Sequence, residues 1–369
     1  MKTEAFHLEL ITPCFCGGAE PDRQAEIRAP SIRGQLRWWF RTLAGFKTLA
    51  AKGMSVRDQE NLIFGSTAGG EGRAGKLIVR VTPPAGRKLD DSASHTKPDM
   101  ASPEGYLLFP LRQQTRRESA LPSFSLHIVW RGVPALWDDL HALVAVFGHI
   151  GALGFRGRRA MGALAFRGAA PPLRGSLAKF SNPTAVKLMV LKTPAAFQRA
   201  DLCIPKLGEW LRAWRQHGRS SQQLTINQPG FDYARRDHNE GARRLSGEPV
   251  PNNPPGHEPR GKDGDTFRPA IGLPIIQFFS SAARGAPNKV NWDFNTGRDK
   301  GRFASPVILR PHRTGPSEYR PLVIFVDAHV WPTGHGVHLG VQGRTEERKV
   351  SVDLYEAMKN DKERLTTFP

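Results

Sequence analysis

With 369 residues, 39% of them hydrophobic, the chain is long enough for two domains and too apolar for a disordered tail. Its 53 Lys and Arg outweigh 34 Asp and Glu, and the net charge of +19 points to a polyanionic partner, nucleic acid first. Three cysteines, two of them as Cys14-x-Cys16, exclude a disulfide scaffold, suit a reducing compartment, and without a second pair give no zinc site.

The opening MKTEAFHLEL carries Glu4 and no apolar run of a signal peptide. The longest apolar run, ALVAVFGHIGALGF, is broken by His149 and glycines and falls short of the roughly 20 residues that span a bilayer. A soluble, cytoplasmic protein with no membrane partner is expected.

In chain order, the alternation of AFHLELI (5–11) predicts a strand. A glycine-rich loop follows, then a helical pattern that Pro30 opens with Ser31 as N-cap. VRDQENLIF predicts a second short helix ending at Gly65, and KLIVRV (76–81) a strand. A polar loop covers about 83–104; YLLFPL and FSLHIVW read as strands. PALWDDLHALVAVFGHIG is a helix with Leu136, Leu140, Leu143, Val144 and Phe147 on one stripe. A Gly/Arg loop (151–162) and the short strand ALAF close the half. The resulting order is that of a ferredoxin-like, RRM-like α+β module.

The second half begins with strand VKLMVL and helix KLGEWLRAWRQHG, stopped by Gly218. Residues 219–265 lack periodicity and read as a long flexible insertion. Strands PVILRP and PLVIFVDAHVW and a helix over VDLYEAMKNDKERL complete a decorated version of the first order. Two ferredoxin-like modules, 1–170 and 171–369, are expected.

On a helix, RGQLRWWFRTL places Leu36, Trp39, Phe40 and Leu43 on the core face and Arg33, Arg37 and Arg41 in a stripe beside it. Like charges at this spacing repel by a few tenths of a kcal/mol per pair, so a partner outside the helix is expected. A phosphate chain fits; solvation or pairing with Glu20, Asp22 and Glu26 is the plain alternative. Trp38 points off the core face, toward a base or a neighbouring protein surface.

GALGFRGRRAMGAL sets Arg156, Arg158 and Arg159 among Gly151, Gly154, Gly157 and Gly162. Glycine tolerates positive φ and lets a polyanion backbone come close, and successive N–H groups can cradle phosphate. From residue 140 to 200 there are nine Lys or Arg and no Asp or Glu. The loop follows a helix and precedes a strand, which excludes a dinucleotide fingerprint, and it lacks a Walker ending.

ITPCFCGGAEPDRQAEIRAPSIRGQLRWWFR, LIFGS (62–66), the Gly/Arg loop, IGLPIIQFF and RFASPVILRP together resemble the RAMP superfamily, in the branch that forms subunit one of the type III-B (Cmr) CRISPR RNA-guided effector. The likeness covers most of the chain apart from 83–104 and 219–265. Ala160-Met161-Gly162 replaces the Gly-x-Gly turn more usual in the family. The resemblance implies two ferredoxin-like modules and a non-catalytic antiviral-defence subunit. It would hold the 3′ part of the guide RNA (crRNA), help capture single-stranded target RNA, and have other RAMP subunits as partners. Carried onto this chain, the RNA-binding residues it implies are Arg28, Arg33, Arg37, Arg41, Arg156, Arg158, Arg159 and Arg310, with Gly154 and Gly157.

The competing reading is a RAMP-type endoribonuclease, for guide processing or metal-dependent target cleavage. The first helix has no His as base, His7 lies in a strand, and only Asp22 and Glu26 stand where a backbone RAMP subunit carries its cutting aspartate. His329, His335 and His338 lack a fourth ligand, so no metal or other cofactor is expected. A double-stranded DNA reader finds no helix-turn-helix or finger pattern.

Overall fold

The computed structural model describes residues 1–67, 72–96, 98–99, 101–112, 116–169, 171–216, 219–220, 223–247, 256–257, 260–262, 264–279, 288–295, 300–341 and 343–369. Its contacts divide the chain into two units: 1–208 with 308–328 and 366–369, and 209–307 with 329–365.

In the first unit, strand β1 (Lys2–Leu10), helix α1 (Ala29–Thr42), helix α2 (Val56–Phe64), β2 (Leu77–Thr82), β3 (Ser123–Trp130), helix α4 (Trp137–Ile150) and β4 (Leu164–Phe166) make a ferredoxin-like circuit. A short helix α3 (Pro103–Leu107) lies between β2 and β3. The sheet order is β2-β3-β1-β4, with every neighbouring pair antiparallel. Phe6 and Leu8 of β1 and Leu126 and Ile128 of β3 face inward onto Leu36, Phe40, Leu143 and Phe147. The opposite sheet face carries Ala5, His7, Arg80, Thr82, Ser125 and His127 in register, with no Phe, Tyr or Trp among them.

The same order recurs. Strand β5 (Val186–Leu191), helix α5 (Cys203–Arg215), β9 (Val307–Gly315), β10 (Glu318–Val326), helix α7 (Asp353–Lys359) and β13 (Leu365–Thr367) follow each other, and their sheet runs β9-β10-β5-β13. The chain therefore holds two ferredoxin-like strand circuits, as its sequence order predicts. The insertions of the second circuit supply helix α6 (Phe231–Ser246), β6 (Asp265–Thr266), β7 (Ile275–Phe278), β8 (Lys289–Asn295), β11 (Gly336–Val341) and β12 (Arg344–Val350). Those strands pair in the order β6-β12-β11-β8-β7 around Trp292, Trp331, Val337 and Leu339.

Four local expectations are corrected. Ser31 lies inside α1, and Arg28, with extended backbone (φ −117, ψ 136), is the N-cap. YLLFPL is not a strand: Ser102 caps α3, accepting from the Gly105 N–H at 2.9 Å, Pro103 opens it, and a 3-10 turn (Phe109–Arg112) follows. The insertion at 219–265 contains α6, whose buried positions mix Arg236, Asp237 and Glu240 with Phe231, Tyr233 and Ala234. Gly218, the expected stop of α5, lies outside the described residues. The final helix is also shorter than VDLYEAMKNDKERL, ending at Lys359. Among the described residues, no helix is long and apolar enough to cross a membrane.

Candidate nucleic-acid interface

The arginine stripe of α1 is largely tied down by the protein itself. Arg37 Nε donates to Glu60 Oε1 at 2.8 Å, and Arg41 Nε donates to Glu60 Oε2 at 2.5 Å. Arg33 donates to the Phe64 carbonyl. Glu60 belongs to α2, and its side chain is 8% exposed. Burial works against its charge, but the two guanidiniums outweigh burial and hold the carboxyl below its usual range; the same bond raises Arg41. The carboxylate that meets Arg37 and Arg41 is therefore Glu60, and not Glu20, Asp22 or Glu26. Arg37 keeps a side-chain exposure of 35% and Arg41 of 58%, so both still reach the surface.

The Gly/Arg loop docks on the loop that follows β1. The Phe155 N–H donates to the Phe15 carbonyl (2.9 Å), and the Gly162 N–H to the Pro13 carbonyl (2.8 Å). Gly154 has φ +77, and a Cβ there would lie 2.7 Å from the Phe15 carbonyl carbon and 2.8 Å from the Cys16 nitrogen. Gly154 thus serves the approach of one protein loop to another. Gly157 has negative φ, and its nearest neighbour would be the Ala152 Cβ at 3.3 Å.

Between the two loops and the start of α1 lies a cleft of about 310 Å³, lined by Phe15, Cys16, Arg28, Ser31, Arg116 and Phe155 among others. Arg28 stands at its rim, 3.9 Å from Glu26 and 41% exposed. Arg116 lies 4.5 Å over the Phe155 ring, and Arg158 lies 4.8 Å over the ring of Trp38. Trp38 packs edge-on against Trp39. Burial lowers Arg158 below the usual arginine range. A partly desolvated guanidinium gains from an added anion, and arginine–aromatic pairs are of the kind on which unstacked bases stack.

The other predicted residues divide. Arg156 donates to the Leu107 carbonyl at 2.7 Å and has φ +63. Arg159 is buried and donates to the Arg158 carbonyl at 3.0 Å. Arg310 is corrected outright as an RNA contact: it is 1% exposed, and its guanidinium holds the carbonyls of Pro311, Gly151 and Leu164. Burial brings its pKa down to about 9. Sequence reasoning missed Arg116 and Phe155; the Arg116-Arg117 pair was the available signal for the first.

Among the described residues, no group of three or more His, Cys, Asp or Glu side chains is placed to hold a metal ion. His335 Nδ1 lies 3.3 Å from the Thr333 carbonyl, and His338 stands on β11. Asp22 is exposed, and Glu26 faces Arg28.

Residues 7–165 match the RAMP superfamily. The CRISPR system Cmr subunit Cmr1-1 of Pyrococcus furiosus is 28% identical over 177 residues, 44% of this chain and 47% of that protein. Cmr1-2 of the same organism is 44% identical over 67 residues, 18% of this chain and 35% of that protein. The matched stretches thus span about half, or less, of these curated relatives. The crystal structure of apo Cmr1 from Pyrococcus furiosus superposes with a TM-score of 0.53 at 15% identity, covering 97% of this chain and 96% of that one. Residues 7–165 are thus similar to the RAMP superfamily, and nearly the whole length of the chain has the fold of Cmr1.

Proposed function

We propose that the chain is a non-catalytic RNA-binding subunit of a type III-B CRISPR effector. It holds the 3′ part of the guide RNA, helps capture single-stranded target RNA, and works beside other RAMP subunits in the cytoplasm. The observation that carries this reading is the cleft rimmed by Arg28 and Arg116, together with a second arginine–aromatic pair, Arg158 over Trp38, outside the cleft lining. Phosphates pair with the guanidiniums, and unstacked bases lie against the arginine–aromatic pairs. Readout is by loop arginines rather than by a sheet platform, since the open face of β1–β3 carries no Phe, Tyr or Trp at the register positions named above. The RAMP match and the names of the relatives support the same assignment.

The test is single-stranded RNA binding by fluorescence anisotropy across a salt series. Affinity falls steeply with salt because phosphate contacts release counterions. Arg116→Ala and Arg158→Ala each weaken binding by about 1–3 kcal/mol. A flat salt response overturns the reading. So does RNA cleavage with divalent metal that is lost in Asp22→Ala or Glu26→Ala, which would make the chain a nuclease.

A further inference from the structure

A second opening, of about 410 Å³, lies in the first unit between β4 and β9. Phe166, His149 and His312 line it. The Phe166 ring is seated by Gly148, where a Cβ would come within 2.3 Å of it; a glycine at this point of α4 costs roughly 1 kcal/mol of helix stability. The His149 ring lies 5.1 Å from Phe166 and 6.1 Å from His312.

The hydrogen bonds fix both tautomers. His149 Nε2 lies 3.0 Å from the Pro171 carbonyl, and His312 Nδ1 lies 3.1 Å from the His149 carbonyl. A carbonyl only accepts, so these two nitrogens carry the hydrogens. Burial first, and then Arg310, hold both imidazoles in the neutral form. His149 Nδ1 and His312 Nε2 therefore carry lone pairs. The charged wall residue, Arg313, is paired with Glu9 and donates to the Tyr319 hydroxyl at 2.7 Å. The opening thus combines aromatic walls, two acceptor nitrogens and a compensated cation. An anion finds no open charge, and a metal finds no third ligand among the described residues.

We propose that this opening is a nucleobase pocket that takes an amino-bearing base splayed out of single-stranded RNA. A base is flat, neutral and small enough for the space, and unstacked bases are what proteins read in single-stranded RNA. The exocyclic amine of adenine or cytosine brings two N–H donors to the imidazole acceptors. Uracil brings one ring N–H flanked by carbonyls that oppose the lone pairs. The proposal rests on the RNA-binding reading, but its test does not need a phosphate.

The full chain is titrated with adenosine, cytidine and uridine, followed by saturation-transfer NMR. Adenosine and cytidine bind saturably, and uridine binds about tenfold more weakly, the value of one unpaired acceptor. His312→Phe and His149→Phe keep a ring but remove the lone pair together with the N–H bond to a main-chain carbonyl; each lowers the melting temperature, and each abolishes the preference in the protein that remains folded. Absence of saturation, equal binding of the three nucleosides by the native chain, or a preference that survives in both folded variants overturns the pocket. Should a variant not fold, the ranking by the native chain decides. Nucleoside binding without salt-dependent RNA binding would keep the pocket and remove the wider reading.

Discussion

Arg37 and Glu60 meet across two helices, with Arg37 Nε donating to the Glu60 carboxylate at 2.8 Å. Sequence periodicity alone makes Arg37 look surplus to the fold; the structure makes it half of the brace between α1 and α2. Glu60→Ala leaves Arg37 and Arg41 facing each other without a shared anion. It should cost about 1–3 kcal/mol, a value discounted for the exposure of both arginines. Arg37→Ala should cost less, since Arg41 stays on Glu60. Urea unfolding of both variants checks the order, and a Glu60→Ala chain as stable as the native one would remove the brace.

Gly154 and Gly157 separate fold from binding. Gly154→Ala pushes a Cβ into the backbone of Phe15 and Cys16 at positive φ, and should cost about 2–4 kcal/mol. Gly157→Ala should be close to neutral for stability. Melting curves of the pair should therefore diverge, and only Gly157→Ala gives a sound binding measurement.

Arg310→Met removes the donors held by three buried main-chain carbonyls and should cost about 3–5 kcal/mol. Arg310→Lys should restore only a part, because an ammonium cannot span carbonyls that a planar fork reaches together. Chemical denaturation ranks the three chains. Any RNA-binding defect in these variants should track the unfolded fraction.

Acid should weaken the protein in two stages. His312 is held at about 3 and His149 below its ordinary 6.5, so the unfolded chain binds more protons than the folded one below pH 6.5. Stability is complete above pH 6.5 and declines as pH falls toward 3. Glu60, whose folded pKa lies below its usual 4.5, adds a second loss as pH falls below 4.5 and through that value. Urea midpoints between pH 7.5 and 4 should fall, and His312→Phe should flatten the upper part of that slope.

What could be read from the residues follows from what kind of force fixes each element. Apolar periodicity located α1, α4, β1, β3 and β5, because those elements bury carbon. It failed on α6, where Arg236 donates to the Lys262 carbonyl and pairs with Glu240 at 3.3 Å, so charged side chains interrupt the apolar inward face. It failed on YLLFPL because a short apolar run fits a buried helix turn as well as a strand. At the site, the Gly/Arg loop and Arg28 were legible as basic and glycine-rich. The partner of Arg37 and Arg41 was not, since Glu60 comes from another helix, 23 residues beyond Arg37. Nor could composition distinguish Arg310, sealed against carbonyls, from an arginine on the surface.

The reach of Arg310 also sets an order of assembly. The carbonyls of Gly151 and Leu164 belong to the first strand circuit, yet their donor is encoded 159 and 146 residues later. During synthesis, at about 5–20 residues per second, that circuit emerges whole and then waits roughly ten to thirty seconds with these oxygens turned to water. Closing the second sheet takes longer still, because β13 is its last strand to leave the ribosome. A nascent chain stalled before Arg310 leaves the ribosome should thus be open to proteases around 151–164, and the released full chain should be resistant there.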